Sequence, residues 1–286
     1  MKHNENLKIF QYGRDKWVTY KDIVDSLKMV GADDCEVLML HTAISFGIPS
    51  KGLKRRELVS LLYDAITELG IDTLVFPTFT FSFSNMEVFD INNSKTKMGM
   101  INEYARNLPE AIRTNDPLMS FCVIGKNKQL INITGNRCLG KGSFFDNIHN
   151  TENVNIVFLG TNIEECFTYQ HYVEEHMRVP YRYDKEFTGK VIDQKGNMSE
   201  KTYILYVKYR DVILNEHSGF EQKLIENGCY KKVTLGNSAV SCIKEVDAFR
   251  ETKKWIENDI NGFLAEPYDT KPLVKEYSYG NVTTVQ

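Results

Sequence analysis

The sequence predicts an α/β fold in which helices flank a mostly parallel central sheet, with an antiparallel hairpin as an appendage. Three continuous apolar runs, at residues 36–41, 73–77 and 155–160, predict strands that are covered on both faces. An amphipathic helix separates the first two runs, which is the order of a right-handed βαβ unit. Residues 186–193 and 201–208, joined around a glycine turn, predict the hairpin.

The helices follow from apolar spacing and from residues suited to helix ends. Residues 19–29 begin with Thr19, a suitable N-cap, and then place apolar residues at helical spacing. Residues 58–69 form a strongly amphipathic helix that ends at Gly70. The same reasoning predicts helices at 101–107, 220–227 and 246–256, an N-cap at Ser143 that could also present N–H groups to an anion, and strands at 120–125 and 230–234.

The length of 286 residues is compatible with one domain, and we expect a single unit over residues 1–286 with its core at about 19–256. The C-terminal segment 266–286, rich in Tyr, Pro, Lys and Gly, reads equally well as a packed arm or as a mobile tail. The sequence leaves the oligomeric state open, with a homodimer as one option.

Composition excludes several classes of function. The formal net charge is −3 and the longest basic cluster is residues 54–56, so nothing points to nucleic acid as a partner. No apolar run approaches the ~18 residues of a membrane-spanning helix, so we expect no membrane insertion. The six cysteines are scattered without a C-x-x-C pair, which fits reduced thiols in a cytoplasmic protein.

A polar cluster follows the third apolar strand, at the end where α/β folds bind ligands. Thr168, His171 and Glu174 are spaced three apart, so on a helix they share one face. They offer a base, a carboxylate that can orient it, and a hydroxyl. Spacing alone also permits an ordinary amphipathic helix with solvated side chains. A zinc protease pattern is excluded, because His176 lies at i+5, about 140° around the helix from His171.

A long aromatic and polar segment at residues 78–100 shows no clear periodicity. Segments of this length are often binding loops or lids, and the alternative is a surface excursion anchored by its phenylalanines. No G-x-S-x-G nucleophile motif occurs, and neither Cys122 nor Cys166 lies in a recognisable nucleophile motif.

Taken together, these segments resemble the antibiotic N-acetyltransferase family, best known for the aminoglycoside 3-N-acetyltransferases. The resemblance runs from about residue 19 to 256, with its pieces in the family's order. Thr168-x-x-His171-x-x-Glu174 matches T-x-x-H-x-x-E, the most specific piece. Further matches are Leu40-His41-Thr42-Ala43-Ile44-Ser45 with Gly47, Gly70 with Thr73-Leu74-Val75-Phe76-Pro77-Thr78-Phe79, the positions Asp90, Met98, Gly99 and Glu103, and Arg113-Thr114-x-Asp116-Pro117-x-x-Ser120.

The resemblance implies that an acyl group passes from acyl-CoA, as co-substrate and without a metal, directly to an amine. It implies that His171 is the general base, that Glu174 orients it, and that Thr168 or a backbone N–H bonds the developing oxyanion. Imidazole, with a pKa near 6.5, can accept the proton of an amine near neutral pH. The implied coenzyme A contacts are Thr42, Ala43, Ile44, Ser45, Arg113, Thr114 and Ser120. The Arg113 guanidinium is suited to a phosphate group, and the alternative for it is a structural ion pair.

Two departures from the family pattern bear on the acceptor. Ala43 replaces a hydroxyl residue in the first loop, and Asp116 replaces a histidine. The aromatic segment carries few acids, whereas an aminoglycoside polycation needs carboxylates, so we expect an amino sugar acceptor contacted by Phe79, Phe81 and Asp116. The favoured acceptor is a nucleotide-linked amino deoxysugar for a surface glycan, and the alternative is an aminoglycoside.

A function of a different class, that of a non-catalytic carbohydrate- or CoA-binding protein on the same scaffold, is a further alternative. The complete set of Thr168, His171 and Glu174 argues against it, because a binding module needs no base.

Overall fold

A computed structural model describes residues 1–215 and 217–277. Its strands in chain order are β1 Lys8–Tyr12, β2 Lys16–Thr19, β3 Val37–Thr42, β4 Ile48–Pro49, β5 Thr73–Pro77, β6 Phe89–Asp90, β7 Ile112–Arg113, β8 Phe121–Gly125, β9 Val154–Leu159, β10 Arg182–Ile192, β11 Met198–Lys208, β12 Tyr230–Leu235 and β13 Ser238–Lys244. Its α-helices are α1 Tyr20–Met29, α2 Arg55–Thr67, α3 Met100–Arg106, α4 Phe144–His149, α5 Ile163–Cys166, α6 Tyr169–Met177, α7 Phe220–Glu226 and α8 Glu245–Asn258.

The central sheet has seven strands in the order β12-β13-β9-β3-β5-β8-β7. Strands β9, β3 and β5 run parallel at its centre, which confirms the predicted α/β fold and its parallel core. Antiparallel strands extend the sheet on both sides, namely β13 and β12 beyond β9, and β8 and β7 beyond β5. The apolar run at residues 120–125 is thus a strand as predicted, and it lies antiparallel to its neighbour.

Helices cover both faces of the sheet because the side chains of a strand alternate between the faces. On β3, Leu38 and Leu40 pack into one core with α1, α2 and α3, whereas Val37 and Met39 pack into the other with α4, α6 and α8. All four side chains are fully buried. Full burial of a residue of this size stabilises the fold by about 1.5–3 kcal/mol, so the apolar run fixes the strand between two layers.

Two helix starts form as predicted. Thr19 caps α1 through a reciprocal capping box with Asp22. Ser143 caps α4 by accepting a hydrogen bond from the backbone N–H of Asp146. Ser143 is fully buried, which gives no support to the idea that this turn binds an anion.

The predicted hairpin is confirmed and is longer than expected, because β10 and β11 pair over eleven residues each. With β6 it forms a sheet separate from the central one. The described part of the C-terminal segment lies along this hairpin, where the Tyr277 ring contacts Phe187 and Glu276 pairs with Arg210. Residues 278–286 of the predicted tail lie outside the described residues.

The N-terminal residues add a small sheet, β2-β1-β4, that the sequence did not predict. Ile9 and Phe10 of β1 are fully buried in the core that contains α1 and α2, so the packed region starts before residue 19. Strand β13 was also missed, although it separates β12 from β9.

Within residues 1–215 and 217–277, none of the helices is long and apolar enough to cross a membrane.

Candidate active site

The site lies at the carboxyl ends of β3 and β9, which are adjacent and parallel and therefore end at the same edge of the sheet. Thr42 is the last residue of β3, and the loop after it contains Ala43, Ile44 and Ser45. The backbone N–H of Ala43 donates to the carbonyl oxygen of Leu159 at 2.8 Å, and the Ser45 hydroxyl donates to that of Gly160. The sheet thus holds this loop directly beside the segment that leads to α6.

Gly160 makes this close approach possible. Its φ of +77° lies in the left-handed region, and a Cβ atom at this position would overlap the carbonyl oxygen of Ala43. Past the short helix α5, the Thr168 hydroxyl lies 3.5 Å from the Cys166 carbonyl oxygen, and the backbone carbonyl of Thr168 accepts the His171 N–H at 3.0 Å.

His171 and Glu174 meet on one face of α6, as their spacing predicts. The His171 Nδ1 atom lies 2.8 Å from Glu174 Oε2. The imidazole side chain is 28% exposed and the Glu174 side chain is 0% exposed. The interpretation in which this glutamate is merely solvated is therefore wrong.

Four side chains hold the Glu174 carboxylate. Gln170 Nε2 and the Tyr181 hydroxyl each donate to Oε1 at 3.0 Å, and Arg182 Nε lies 2.8 Å from Oε2, which His171 also contacts. Burial acts to raise the pKa of Glu174, but the Arg182 charge and the hydrogen bonds outweigh it and lower the pKa to about 2. The carboxylate is ionised at every physiological pH.

The same guanidinium also reaches the imidazole, since Arg182 Nη2 lies 2.9 Å from His171 Nδ1. Burial and then the Arg182 charge lower the pKa of His171, and Glu174 acts in the opposite direction. The net effect favours a neutral ring near pH 7. A neutral ring is the form that can accept a proton.

Sequence reasoning missed Gln170, Tyr181 and Arg182. Gln170 lies at i−4 from Glu174, a spacing that reveals it once the helix is known. The other two follow the helix across a turn, where periodicity gives no guidance. The need for a cation could have been predicted, because a buried carboxylate such as Glu174 requires a positive group nearby.

The structure corrects the expectation for Arg113, which is buried rather than available to a phosphate. Its Nε donates to the hydroxyls of Ser120 and Thr78 at 3.2 and 3.3 Å, and its terminal nitrogens donate to the carbonyl oxygens of Ser94 and Thr78, both at 2.6 Å. Thr114 and Ser120 are fully buried as well, and the Thr114 hydroxyl accepts a backbone N–H. This geometry supports a structural role for all three, because their polar atoms bond inside the protein.

The expected acceptor contacts are mostly internal too. Phe79 is 2% exposed and packs edge to face on Phe121 at 5.1 Å, so it belongs to the core. Asp116 is 2% exposed, and its Oδ1 accepts the backbone N–H groups of Leu118 and Met119 at 2.8 Å. Burial raises the pKa of Asp116. Phe81 alone of the three predicted contacts is half-buried, and its φ of 55° is unusual for a bulky residue.

The aromatic segment 78–100 is anchored rather than open. Phe83 and Phe89 are buried, and the backbone N–H of Lys97 donates to the Phe79 carbonyl at 3.0 Å. These contacts favour the interpretation as a surface excursion held by its phenylalanines.

No group of three or more His, Cys, Asp or Glu suited to a metal ion occurs in the part of the chain that the structure describes.

Comparison with solved structures supports the fold. The chain is similar to the YokD protein from Bacillus subtilis, with 20% identity, a TM-score of 0.68, and coverage of 85% of this chain and 95% of that one. It is similar to AAC-IIIb, solved as a binary complex with CoASH, with 13% identity, a TM-score of 0.69, and coverage of 87% and 98%. It is also similar to AAC-VIa bound to sisomicin, with 16% identity, a TM-score of 0.69, and coverage of 84% and 97%.

No curated protein matches the sequence closely. A family model described as aminoglycoside 3-N-acetyltransferase matches residues 39–257, which is most of the chain and includes both loops and helix α6 of the site. The chain therefore belongs to the aminoglycoside 3-N-acetyltransferase family and is an acyl-CoA-dependent N-acetyltransferase.

Proposed function

We propose that the chain transfers an acyl group from acyl-CoA directly to the amine of an amino sugar, with His171 as the general base. The amine nitrogen attacks the thioester carbonyl while His171 Nε2 takes its proton. The carbon–sulfur bond then breaks, and the leaving thiolate of coenzyme A receives the proton from the imidazolium. Buried, ionised Glu174 supports this cycle because it stabilises the imidazolium while it lasts.

The positions of the pantetheine arm and of the oxyanion are proposed from the residues at the edge of the sheet. The half-exposed loop at Thr42, Ala43 and Ile44, with exposed Ser45, is suited to the pantetheine arm because it lies beside the segment that leads to His171. Thr168, or a backbone N–H near it, is proposed to bond the oxyanion of the tetrahedral intermediate.

The cysteines support direct transfer over an acyl-enzyme route. Burial raises the pKa of Cys122 and of Cys166 to about 12, and it raises the pKa of Cys138 well above its usual range. A thiol is nucleophilic as its thiolate, so these three are poor nucleophiles near pH 7.

For the acceptor, we propose a nucleotide-linked amino deoxysugar destined for a surface glycan. The observation that carries this choice is that both carboxylates of α6 already pair with arginines, Glu174 with Arg182 and Glu175 with Arg137. Residues 76–89 add one acid, Glu87. A polycation would need unpaired carboxylates near the base, whereas an acceptor that carries a diphosphate does not. Aromatic stacking does not support the choice, because three of the four phenylalanines of segment 78–100 are buried.

The second candidate, an aminoglycoside acceptor, is favoured by the structural likeness to AAC-VIa bound to sisomicin. The test is thiol release from acetyl-CoA and from a longer acyl-CoA, with a panel of nucleotide amino sugars and a panel of aminoglycosides. His171→Ala measures the background hydrolysis. We expect turnover with nucleotide amino sugars, and turnover confined to aminoglycosides would overturn the choice. A homodimer and a cytoplasmic location stay predictions.

A further inference from the structure

Arg182 contacts both members of the base–carboxylate pair at once. It is the first residue of β10, and its side chain is 6% exposed. Nε lies 2.8 Å from Glu174 Oε2, Nη2 lies 2.9 Å from His171 Nδ1, and Nη1 donates to the Tyr206 carbonyl oxygen at 3.2 Å. The backbone of β11 therefore fixes the guanidinium in a position where it shares the carboxylate with the imidazole.

His171 Nδ1 has two competing neighbours, and they require opposite proton positions. When Nδ1 carries a hydrogen, it donates to Glu174, and the Nε2 lone pair is free to accept the proton of the substrate. When Nδ1 is bare, it accepts a hydrogen bond from Arg182, and Nε2 carries the hydrogen. Only the first tautomer can act as a base, so the contribution of Arg182 to catalysis comes through the carboxylate that it shares with the ring and not through a hydrogen bond to bare Nδ1.

The charges around the ring lead to the same residue. Glu174 of α6 favours the imidazolium, and Arg182 of β10 opposes it. Tyr181 donates to the carboxylate from the turn before β10. Lys208 of β11 lies opposite Arg182 in the register, but its ammonium donates to a backbone carbonyl oxygen 2.6 Å away. Among the residues that the structure describes, Arg182 is thus the positive group in contact with both the ring and its carboxylate.

We propose that Arg182 is a positioning residue for acyl transfer, which sets the proton state of His171 in the resting enzyme by sharing Glu174 with the ring. The proposal rests on the proposed role of His171 as the base. Without Arg182, Glu174 holds the ring as an imidazolium, which cannot accept the proton of the amine. With Arg182 in place, the buried Glu174 charge is balanced before the reaction, and the ring stays neutral until the substrate protonates it.

The test is an NMR titration of the imidazole ring in the full-length protein, in the wild type and in Arg182→Gln and Arg182→Lys. The ¹³Cε1–H signal gives the pKa, the ¹⁵N shifts give the tautomer, and the signal of His171 is assigned by its loss in His171→Gln. In Arg182→Gln we expect the ring to titrate about 1 pH unit or more higher than in the wild type. Arg182→Lys, which keeps the charge, is expected to return most of the way to the wild-type value.

Two further variants control for general damage. Arg178→Gln removes an exposed arginine of the same neighbourhood that pairs with Asp184, and it should leave the titration of His171 unchanged. Arg182→Gln combined with Glu174→Gln removes both charges, so its ring should titrate below that of Arg182→Gln alone. Thermal unfolding monitored by circular dichroism identifies any variant that fails to fold.

Kinetics provide the second readout. In Arg182→Gln the acid limb of kcat/KM should move upward with the ring pKa, so that activity at pH values below the wild-type ring pKa falls about tenfold for each pH unit by which the limb moves, and it recovers in alkaline buffer. An unchanged titration in Arg182→Gln, or equal losses at every pH in the Gln and Lys variants, would overturn the proposal. The titration requires no turnover, so a wild type that is inactive with every acceptor would remove the proposed function without affecting this measurement.

Discussion

His171 Nδ1 and Glu174 Oε2 lie 2.8 Å apart across one turn of α6, with the carboxylate fully buried and the imidazole 28% exposed. The two side chains of the pair therefore differ in their access to solvent. The buried side holds a fixed negative charge, and the imidazole is the partly exposed member of the pair. When Nε2 takes up a proton, the Glu174 carboxylate at Nδ1 stabilises the resulting imidazolium.

His171→Ala should lower kcat by two to four orders of magnitude, roughly what a general base contributes. The measurement is steady-state thiol release, with coenzyme A affinity determined separately by calorimetry. His176→Gln is the matched control, because His176 lies on the same helix with an exposed side chain and should keep the wild-type rate. A His171→Ala rate equal to that of the control would remove the assignment of the base.

Glu174→Gln should destabilise the protein by about 3–5 kcal/mol at pH 7, because it leaves Arg182 buried without its counter-charge. The pKa of Glu174 is about 2 in the folded chain against 4.5 for the free group. Its contribution to stability is thus complete above pH 4.5 and is lost as the pH falls towards 2. Urea midpoints measured from pH 7 to 2 should fall less steeply below pH 4.5 in the variant. Parallel curves for the two proteins would contradict this prediction.

Sequence spacing predicts which site residues meet when they lie on the same helix, but not when they lie on different elements. The i+3 spacing of His171 and Glu174 identified the pair, since residues on one helix have fixed relative positions. Arg182 lies on a different element, and its approach depends on how the hairpin packs against α6. The burial of Arg113 and Phe79 likewise comes from tertiary packing, which a list of local motifs does not contain.

In the fold, likewise, the sequence predicts the strands that have a distinctive local pattern and misses those that have none. Continuous apolar runs identified β3, β5 and β9 because strands covered on both faces have a distinctive composition. Strand β13, with Ser238, Ala239 and Ser241 among its residues, lacks such a run, although it pairs with β9 inside the sheet. Strand β4 has two residues, which is too short to show any period.

Arg113→Gln should lower the free energy of unfolding by about 2–4 kcal/mol, because the carbonyl oxygens of Thr78 and Ser94 lose their charged donor inside the protein. The KM for acyl-CoA should stay close to the wild-type value. Arg56→Gln, at an exposed position of α2, is the control and should change stability by less than about 0.5 kcal/mol. A stable Arg113→Gln with a much higher KM would restore the phosphate-binding role.

Gly160→Ala should raise the KM for acyl-CoA, because the added Cβ atom would overlap the Ala43 carbonyl oxygen and displace the loop proposed to hold the pantetheine arm. The matched control is Gly70→Ala. Both glycines have a φ near +70°, at +77° and +70°, but a Cβ atom on Gly70 meets no atom within 4 Å.

The control therefore carries the backbone strain alone, about 1–2 kcal/mol of stability, and should keep its KM. Unfolding midpoints and acyl-CoA saturation curves for both variants separate strain from loop displacement. If Gly160→Ala loses more stability than Gly70→Ala, which would show that the loop is displaced, and still binds acyl-CoA as the wild type does, the loop of Thr42, Ala43, Ile44 and Ser45 is not the coenzyme A contact.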